Sequence, residues 1–271
     1  MNSQAYFPTV KDLSNQLYGI ITDALDKTFR ELLKGVNSES KNNYFLHNGG
    51  LPHPLSNLLI AKDCSDTQKF IQPIEKLCAN NLPSAVLCLS SVRDEFTRTL
   101  LSKDYQFAEK VSAMAINLEN LKLKKLGNEY RIKRVGPREH ELWSETVSAG
   151  YEVPEKLADL FGPAKTELIE NNAVEYRHYI VFHHDRPVST AMNITRNGVV
   201  EVYWISTIAE YRGRGIGQFA TGEPLRLAYD QGYQTAILQS SAIGESVYRQ
   251  LGFESFGDIP LYVRNPNTIN N

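Results

Sequence analysis

The chain of 271 residues has few cysteines, no long apolar run and no excess of basic residues. Its three cysteines, Cys64, Cys78 and Cys88, show no CxxC spacing, which argues against a disulfide framework or a zinc ribbon and favours a reducing compartment. No apolar run approaches the roughly 18 residues that a membrane span needs, and the first residues lack the basic and apolar regions of a secretory signal. We therefore expect a cytoplasmic protein that makes no contact with a membrane.

The charge and the hydrophobic content exclude two further classes of protein. A formal net charge of −2 lacks the basic excess of a general nucleic-acid-binding protein, so we expect no nucleic acid among the partners. Hydrophobic residues make up 42% of the chain, enough to build hydrophobic cores, which excludes a disordered or fibrous chain. Because typical domains contain about 100–200 residues, the length suggests about two domains.

The composition changes near residue 130. Residues 1–129 contain 12 Lys and 3 Arg, whereas residues 130–271 contain 3 Lys and 11 Arg. At the junction, the basic stretch of residues 122–128 ends in turn-forming residues and is typical of a linker whose lysines are solvated; a binding role for these lysines is the alternative. We therefore predict an N-terminal domain of residues 1–129 and a C-terminal domain of residues 130–271.

Hydrophobic periodicity predicts helices and strands in both parts. In the first part, apolar residues at a spacing of three to four predict one helix between the N-cap Thr9 and Gly35. In the second part, Asn197-Gly198 predicts a tight hairpin, because type I′ turns need positive φ at both central residues. The strands predicted here are residues 174–183, 188–195, 199–207 and 235–240, and the helices are residues 138–149, 154–170, 218–230 and 244–251. This order predicts an α+β fold with a mixed sheet. Gly162-Pro163 is a candidate interruption of the helix over residues 154–170, and Pro224 should kink the helix over residues 218–230, because proline removes a backbone hydrogen bond.

Three closely spaced glycines lie between a predicted strand and a predicted helix, namely Gly213, Gly215 and Gly217. Such glycines allow tight turns and leave backbone N–H groups uncovered. Together with the positive end of the following helix, these N–H groups can bind phosphate oxygens. Arg212 and Arg214 add positive charge where an anion would arrive. A surface turn that is merely rich in glycine and arginine is the alternative interpretation.

The same glycines also match part of a dinucleotide-binding pattern. Residues 215–220 read G-x-G-x-x-A, which should directly follow the first strand of a βαβ unit and be answered about 20 residues later by an acidic residue. The residues at that point are Gln239 and Ser240, and an antiparallel meander is predicted upstream. The dinucleotide interpretation is therefore weak.

Two motifs in this order resemble those of a known family. The pattern R-x-x-G-x-G, formed by Arg212, Gly215 and Gly217 after a strand, resembles the acetyl-CoA pyrophosphate loop of the GCN5-related N-acetyltransferase (GNAT) superfamily. Residues 247–253, in which a helix tyrosine precedes Leu-Gly-Phe, are similar to the closing signature of that superfamily. The resemblance covers about residues 130–265 and implies a GNAT-like acyl-CoA N-acyltransferase fold there, with acetyl-CoA as cosubstrate and no metal.

The resemblance implies a set of cofactor-binding residues. The strand before the loop would offer backbone groups to the pantetheine arm through Ile205, Ser206 and Thr207. The loop amides would hold the pyrophosphate; this loop consists of Arg212, Gly213, Arg214, Gly215, Ile216, Gly217 and Gln218. Ser241 stands where the family often has an asparagine that contacts the pantetheine, and this departure puts that one contact in doubt.

The resemblance also implies two catalytic residues. Tyr248 matches the tyrosine that protonates the departing CoA thiolate, and Glu201 occupies the position of the general base in histone-type members. A base is useful because an amine with a pKa near 10.4 needs roughly 4.6 kcal/mol to lose its proton at pH 7. Packing of Tyr248 in a core, and an outward-facing place for Glu201 on the meander, are the alternatives.

The first half shows a faint echo of the second. The predicted strand 85–89 and helix 92–102 resemble the strand 235–240 and helix 244–251, but no R-x-x-G-x-G pattern lies between residues 55 and 90. We interpret residues 1–129 as a degenerate GNAT-like α/β half, as in tandem members of the superfamily. This half would form one side of the substrate cleft or mediate assembly, for example into a homodimer. Coincidence is the alternative, since short strand–helix–strand units are common.

These observations together predict an enzyme. We expect an acetyl-CoA-dependent N-acetyltransferase that transfers an acyl group to a primary amine, on a small molecule or a peptide, by direct attack in a ternary complex. The alternative is a non-catalytic module that binds acyl-CoA or a protein partner through the same fold. The acceptor itself cannot be predicted, because acceptor loops vary independently of the cofactor loop.

Overall fold

The structure is a computed structural model and describes residues 7–35 and 37–266. Its α-helices, in chain order, are α1 Val10–Leu13, α2 Leu17–Leu32, α3 Gln68–Ala79, α4 Asp94–Leu101, α5 His140–Tyr151, α6 Glu155–Ala158, α7 Pro163–Glu167, α8 Ile216–Asp230 and α9 Glu245–Leu251. Its strands are β1 Ser38–Ser40, β2 Tyr44–Asn48, β3 Asn57–Ala61, β4 Ser84–Cys88, β5 Gln106–Asn117, β6 Tyr130–Val135, β7 Val174–His183, β8 Arg186–Arg196, β9 Val199–Thr207, β10 Thr235–Ser240 and β11 Glu254–Arg264. The expected lack of a secretory signal concerns the first six residues, which lie outside the described part.

The chain forms two compact units, and neither is a continuous stretch of sequence. The first unit contains the described residues up to Ile21 and Ser112–Gly257, and the second contains Thr22–Val111 and the described residues from Asp258 onward. The predicted boundary between residues 129 and 130 lies inside the first unit. The strands explain the difference, because β5 continues from the second unit into the first and β11 continues from the first into the second.

The first unit contains a mixed sheet in the order β5-β10-β9-β8-β7-β6. Only β9 and β10 are parallel among these neighbours, and the other pairs are antiparallel. The predicted hairpin between β8 and β9 is confirmed, since Asn197 has φ 50° and Gly198 has φ 76°. Strands β7, β9 and β10 have the predicted bounds, whereas β6 was not predicted. The mixed sheet with its helices confirms the α+β class.

Helices cover both faces of this sheet. On one face, Val200 and Val202 of β9 share a core with Leu225 of α8. Because successive strand residues point to opposite faces, Tyr203 points to the other face, where α5 packs on β8 and β9. The segment predicted as a helix over residues 154–170 consists of α6, a short 3₁₀ helix and α7, and the candidate interruption at Gly162-Pro163 is confirmed. α8 continues through Pro224, which was expected to kink it.

The second unit contains the strand order β1-β2-β3-β4-β11, in which only β3 and β4 are parallel. Its core joins α3 and α4 through Phe70 and Phe96, whose rings pack edge to face at 5.1 Å. The predicted N-terminal helix is divided, since α1 and α2 are separate, although Thr9 caps α1 as expected. Among residues 7–35 and 37–266, no helix is both long and apolar enough to cross a membrane.

Candidate functional site

A gap opens in the first unit where β9 and β10 end. The two strands pair from Val199 opposite Thr235 to Val202 opposite Leu238. Both strands continue beyond these residues, but the pairing between them does not. The edge of β9 that faces β10 is therefore unpaired in its last five residues. This part includes the predicted pantetheine-binding residues Ile205, Ser206 and Thr207, and it would leave backbone groups open to a ligand.

A β-bulge at Trp204 begins the unpaired part of β9. Its φ of 52° is a left-handed conformation, which is rare for a bulky side chain and costs about 1–3 kcal/mol. The register with β8 shifts between Thr190 and Met192, so that two residues of β9 oppose Ala191. The hydroxyl of Thr190 donates a hydrogen bond of 2.9 Å to the carbonyl of Trp204 and thereby holds the bulge.

The glycine loop follows β9 and leads into α8. Gly213 and Gly215 have φ of 77° and 79°, which is the conformation that favours glycine. The N–H of Arg212 donates to the carbonyl of Ala209 at 3.2 Å. Within the described part of the chain, the backbone N–H groups of residues 213–218 have no hydrogen-bond acceptor. The open N–H groups therefore begin one residue later than predicted and end in the first turn of α8.

The side chain of Arg212 holds this loop in place. Its Nε donates to the carbonyl of Thr207 at 3.1 Å, and its Nη2 donates to the carbonyl of Gly150 at 2.8 Å. The carboxylate of Glu152 lies 3.7 Å from the same guanidinium. Arg212 thus ties the loop to the end of β9 and to the end of α5, and these contacts already use its guanidinium.

The side chain of Arg214 also has partners close to it in the chain. Its Nη2 donates to the carbonyl of Glu210 at 2.9 Å, and its guanidinium lies 4.8 Å from the centre of the Tyr211 ring. Both arginines thus bind backbone carbonyls near the loop, and their positive charge lies beside the open N–H groups.

Two glycines determine how closely the neighbouring helices approach β9 at the gap. A β-carbon at Gly217 would lie 3.8 Å from both Thr207 Oγ1 and Val247 Cγ1, so a larger side chain would fill the space between β9 and α9. A β-carbon at Gly150 would lie 2.7 Å from the side chain of Ser206, so only glycine allows α5 to approach β9 this closely. The sequence motif included Gly217, whereas no motif pointed to Gly150.

Tyr248 of α9 lies beside the gap. Its ring packs against the core near Ile205 and meets Phe253 edge to face at 5.9 Å. Within the described residues its hydroxyl has no hydrogen-bond partner. Burial, together with the neighbouring Tyr151, raises the pKa of Tyr248 well above its ordinary value, so the hydroxyl keeps its proton at neutral pH. The raised pKa also makes this hydroxyl a weaker acid than that of a free tyrosine.

An aromatic wall that the sequence did not predict lies next to Tyr248. Tyr151, the last residue of α5, meets Trp204 edge to face at 5.5 Å, and Phe161 packs on Trp204 at 4.6 Å. Although 45% of Tyr151 is exposed, burial around its hydroxyl raises the pKa of Tyr151 to about 12. No spacing rule identifies these residues, because they meet only through the packing of α5 and the following segment against β9.

Glu201 lies in the paired part of β9, opposite Ile237 of β10. It is 2% exposed, and its Oε1 lies 3.0 Å from Nε of Arg196, which is also buried. The carboxylate points to the face opposite that of Val200 and Val202. The predicted base is therefore a buried partner in an ion pair, and not an outward-facing residue.

The remaining predicted site residues lie around the gap with local partners. Ser241 is exposed, and its hydroxyl accepts a weak hydrogen bond of 3.4 Å from the N–H of Gly244. The side chain of Gln218 donates to Gln250 at 2.9 Å, which links α8 to α9. Ile216 is buried in the core beneath α8. Among the residues that the structure describes, no group of three His, Cys, Asp or Glu side chains is placed to hold a metal ion.

No protein-family model and no curated protein sequence matches this chain. Solved structures do match it. One is a GCN5-related N-acetyltransferase from Kribbella flavida, with 17% identity, a TM-score of 0.63, and coverage of 90% of this chain and 95% of that chain. Another, from Sphaerobacter thermophilus, has 14% identity, a TM-score of 0.57, and coverage of 83% and 77%. A tandem GNAT protein from the clavulanic acid biosynthesis pathway has 9% identity, a TM-score of 0.51, and coverage of 79% and 76%. The chain thus has the fold of the GCN5-related N-acetyltransferases.

Proposed function

We propose that the protein is an acyl-CoA-dependent N-acyltransferase, with acetyl-CoA as its cosubstrate and a primary amine as acceptor. One observation carries the proposal. The open N–H groups of residues 213–218 lie at the start of α8, directly after a strand whose edge is unpaired. A row of open N–H groups at a helix N-terminus is suited to phosphate oxygens, and an unpaired strand edge is suited to an extended chain of amides.

The residues around the gap fit such a cosubstrate. The N–H groups of residues 213–218 would hold its diphosphate, and the end of β9 would bind its pantetheine arm. Gly217 leaves the space between Thr207 and Val247 free for that arm. When bound, acetyl-CoA supplies the activated thioester.

Tyr248 is the proposed general acid. Its hydroxyl is protonated at neutral pH and has no other partner within the described residues. A thiol has an ordinary pKa near 8.5, below that of Tyr248, so the transfer requires the bound cosubstrate to lower the pKa of Tyr248. Tyr248 Oη holds the proton that the leaving group needs, and a positioned acid of this kind accelerates a reaction by about 10²–10⁴-fold.

Glu201 is the proposed general base, and its environment restricts how it can act. Because the carboxylate is buried and paired with Arg196, it can accept a proton from an amine only through an intervening water. The ion pair also supports a second candidate function, in which the protein binds acyl-CoA without turnover. In that case Glu201 and Arg196 would serve the stability of the sheet.

The test is a thiol-release assay with acetyl-CoA and a panel of polyamines, amino acids, aminoglycosides and lysine peptides. We expect CoA release above background with at least one amine of the panel. Tyr248→Phe should lower kcat by about 100-fold, with the CoA affinity measured by calorimetry near that of the wild type.

Tyr229→Phe is the matched control, because Tyr229 is an exposed tyrosine of α8. It should leave both quantities unchanged. If the wild type binds CoA but turns over no amine in the panel, the non-catalytic function is the correct one. If Tyr248→Phe loses CoA binding, the tyrosine has a structural role.

A further inference from the structure

Residues 121–126, which overlap the predicted linker of residues 122–128, pack on the first unit. Their leucines and lysines are interspersed, and the leucines are held by the protein. Leu123 Cδ2 lies 3.2 Å from the position of a β-carbon at Gly222 of α8. Leu121 and Leu126 pack against the two cores beneath α8. The segment therefore has a fixed path along α8.

This path places Lys124 over the glycine loop. The Cε and Cγ atoms of Lys124 lie 2.8 Å and 3.2 Å from the position of a β-carbon at Gly215. Gly215 is in the middle of the stretch whose N–H groups are open. The side chain of Lys124 thus crosses the loop at the point where the proposed diphosphate site lies.

The ammonium of Lys124 is available to a ligand. Lys124 is exposed, and within residues 7–35 and 37–266 it has neither an acidic partner nor a hydrogen bond. The two arginines of the loop differ from it, since Arg212 and Arg214 are both bonded to backbone carbonyls. The nearest side-chain group that the structure gives at Gly215, apart from Lys124, is the neutral Oε1 of Gln218.

We propose that Lys124 binds a phosphate group of the acyl-CoA cosubstrate and supplies a positive charge that no described protein group at this site already uses. The inference rests on the proposed function, because it assumes that acyl-CoA occupies the loop. A lysine ammonium pairs with phosphate as a point charge and tolerates several orientations. The cosubstrate offers two such groups, the diphosphate and the phosphate on the ribose, and both carry the oxygens that an ammonium binds.

The test is calorimetric titration of the full chain with CoA and with dephospho-CoA, which lacks the ribose phosphate. Lys124→Gln should weaken CoA binding about tenfold, which corresponds to about 1.4 kcal/mol. Lys125→Gln is the matched control, because it removes an adjacent exposed lysine, and it should change the affinity less than twofold. Lys124→Arg keeps the charge and should retain most of the affinity.

The two ligands identify the phosphate that Lys124 binds. If Lys124→Gln weakens CoA but not dephospho-CoA, the ribose phosphate is the partner. If both ligands are weakened equally, the diphosphate is the partner. The loss in each case should shrink as salt is raised, since an exposed ion pair is screened.

Two outcomes would overturn the inference. An unchanged affinity of Lys124→Gln for both ligands would show that the ammonium makes no contact, and a higher affinity would show that the side chain covers the loop and competes with the ligand. Either result leaves the proposed function intact as long as the wild type binds CoA. Failure of the wild type to bind CoA or dephospho-CoA would instead remove the proposed function.

Discussion

Each unit contains one pair of parallel neighbouring strands, and the two pairs differ at their ends. In the second unit, β3 and β4 pair through to Ala61 opposite Cys88, and the N–H of Leu89 continues the pairing to the carbonyl of Ala61 at 2.8 Å. In the first unit, β9 and β10 separate after Val202 and Leu238. A parallel pair that remains closed leaves no strand edge for a ligand, whereas the separated pair does.

The connections that follow β3 and β9 also differ, in their glycine content and in their open N–H groups. Residues 62–67 contain no glycine, and the N–H groups of Lys62, Cys64 and Ser65 have acceptors. Cys64 donates to Ser90 Oγ at 2.9 Å, and Ser65 donates to Asp63 at 3.0 Å. The connection after β9 has two glycines with positive φ and a run of open N–H groups. In the proposed function, phosphate binding therefore depends on strand separation and on glycine conformation together. The interpretation of the first half as degenerate is consistent with this difference.

The largest effect on CoA binding is expected from a substitution that fills the space beside the unpaired end of β9. Gly217→Val should fill the space between Thr207 and Val247 and weaken CoA binding by more than about 100-fold, or about 2.7 kcal/mol. The free energy of unfolding should change by less than about 1 kcal/mol, because valine is no worse than glycine in a helix. Calorimetry and urea denaturation measure the two quantities.

Gly19→Val is the control for Gly217→Val. Gly19 lies in α2, and a β-carbon there would have no atom within 4 Å. This variant should bind CoA like the wild type. If Gly217→Val also binds normally, the gap between β9 and α9 is not the path of the cosubstrate.

A smaller effect is expected from Glu201→Gln. If Glu201 acts as the base, the variant should lose most of its kcat and the acidic limb of its pH–rate profile should flatten, because a neutral amide cannot accept the proton. Arg196→Gln provides the comparison, since it breaks the same buried ion pair without removing the carboxylate. An unchanged pH profile, with both variants equally destabilised in urea, would show that the pair is structural.

Loosening the loop should have a moderate effect. Arg212→Lys loses the planar guanidinium that reaches the carbonyls of both Thr207 and Gly150, and we expect about tenfold weaker CoA binding and about 1 kcal/mol lower stability. Arg214→Lys loses a single carbonyl contact at Glu210 and should be milder. The opposite ranking in calorimetry would contradict the role given to Arg212.

The smallest effect concerns the second unit, where none is expected. Since β3 and β4 remain paired and the connection after β3 contains no glycine, one chain should bind one CoA. The binding stoichiometry from calorimetry checks this directly. Two equivalent sites per chain would contradict the comparison of the two strand pairs.

The sequence predicted the elements whose signals are local. β7, β9 and β10 have strong β-patterns bounded by turn residues, and their bounds were predicted correctly. The weaker strands β1, β2 and β6 were missed; β1 has only three residues, and three residues of β6 are exposed. The division of the N-terminal helix into α1 and α2 was also missed, because the apolar spacing continues through the break.

In the candidate site, the glycine loop could be predicted because its conformation depends on its own residues. The contacts of the loop could not be predicted. Arg212 binds the carbonyl of Gly150, which is 62 residues away in the chain, and Tyr151 reaches Trp204 through the packing of α5. Lys124 lay in a segment whose composition is that of a solvated linker, and only the packing of its leucines shows otherwise.

Because β5 and β11 each contribute residues to both units, the chain cannot be divided at residue 129 into two independently folding fragments. A fragment that stops at residue 129 lacks residues 261–264, which pair with β4. A fragment that starts at residue 130 lacks residues 112–117, which pair with β10. Neither fragment can complete its sheet. During translation, the sheet of the second unit cannot be completed until β11 has been synthesised. Activity should therefore return only when both fragments are present together.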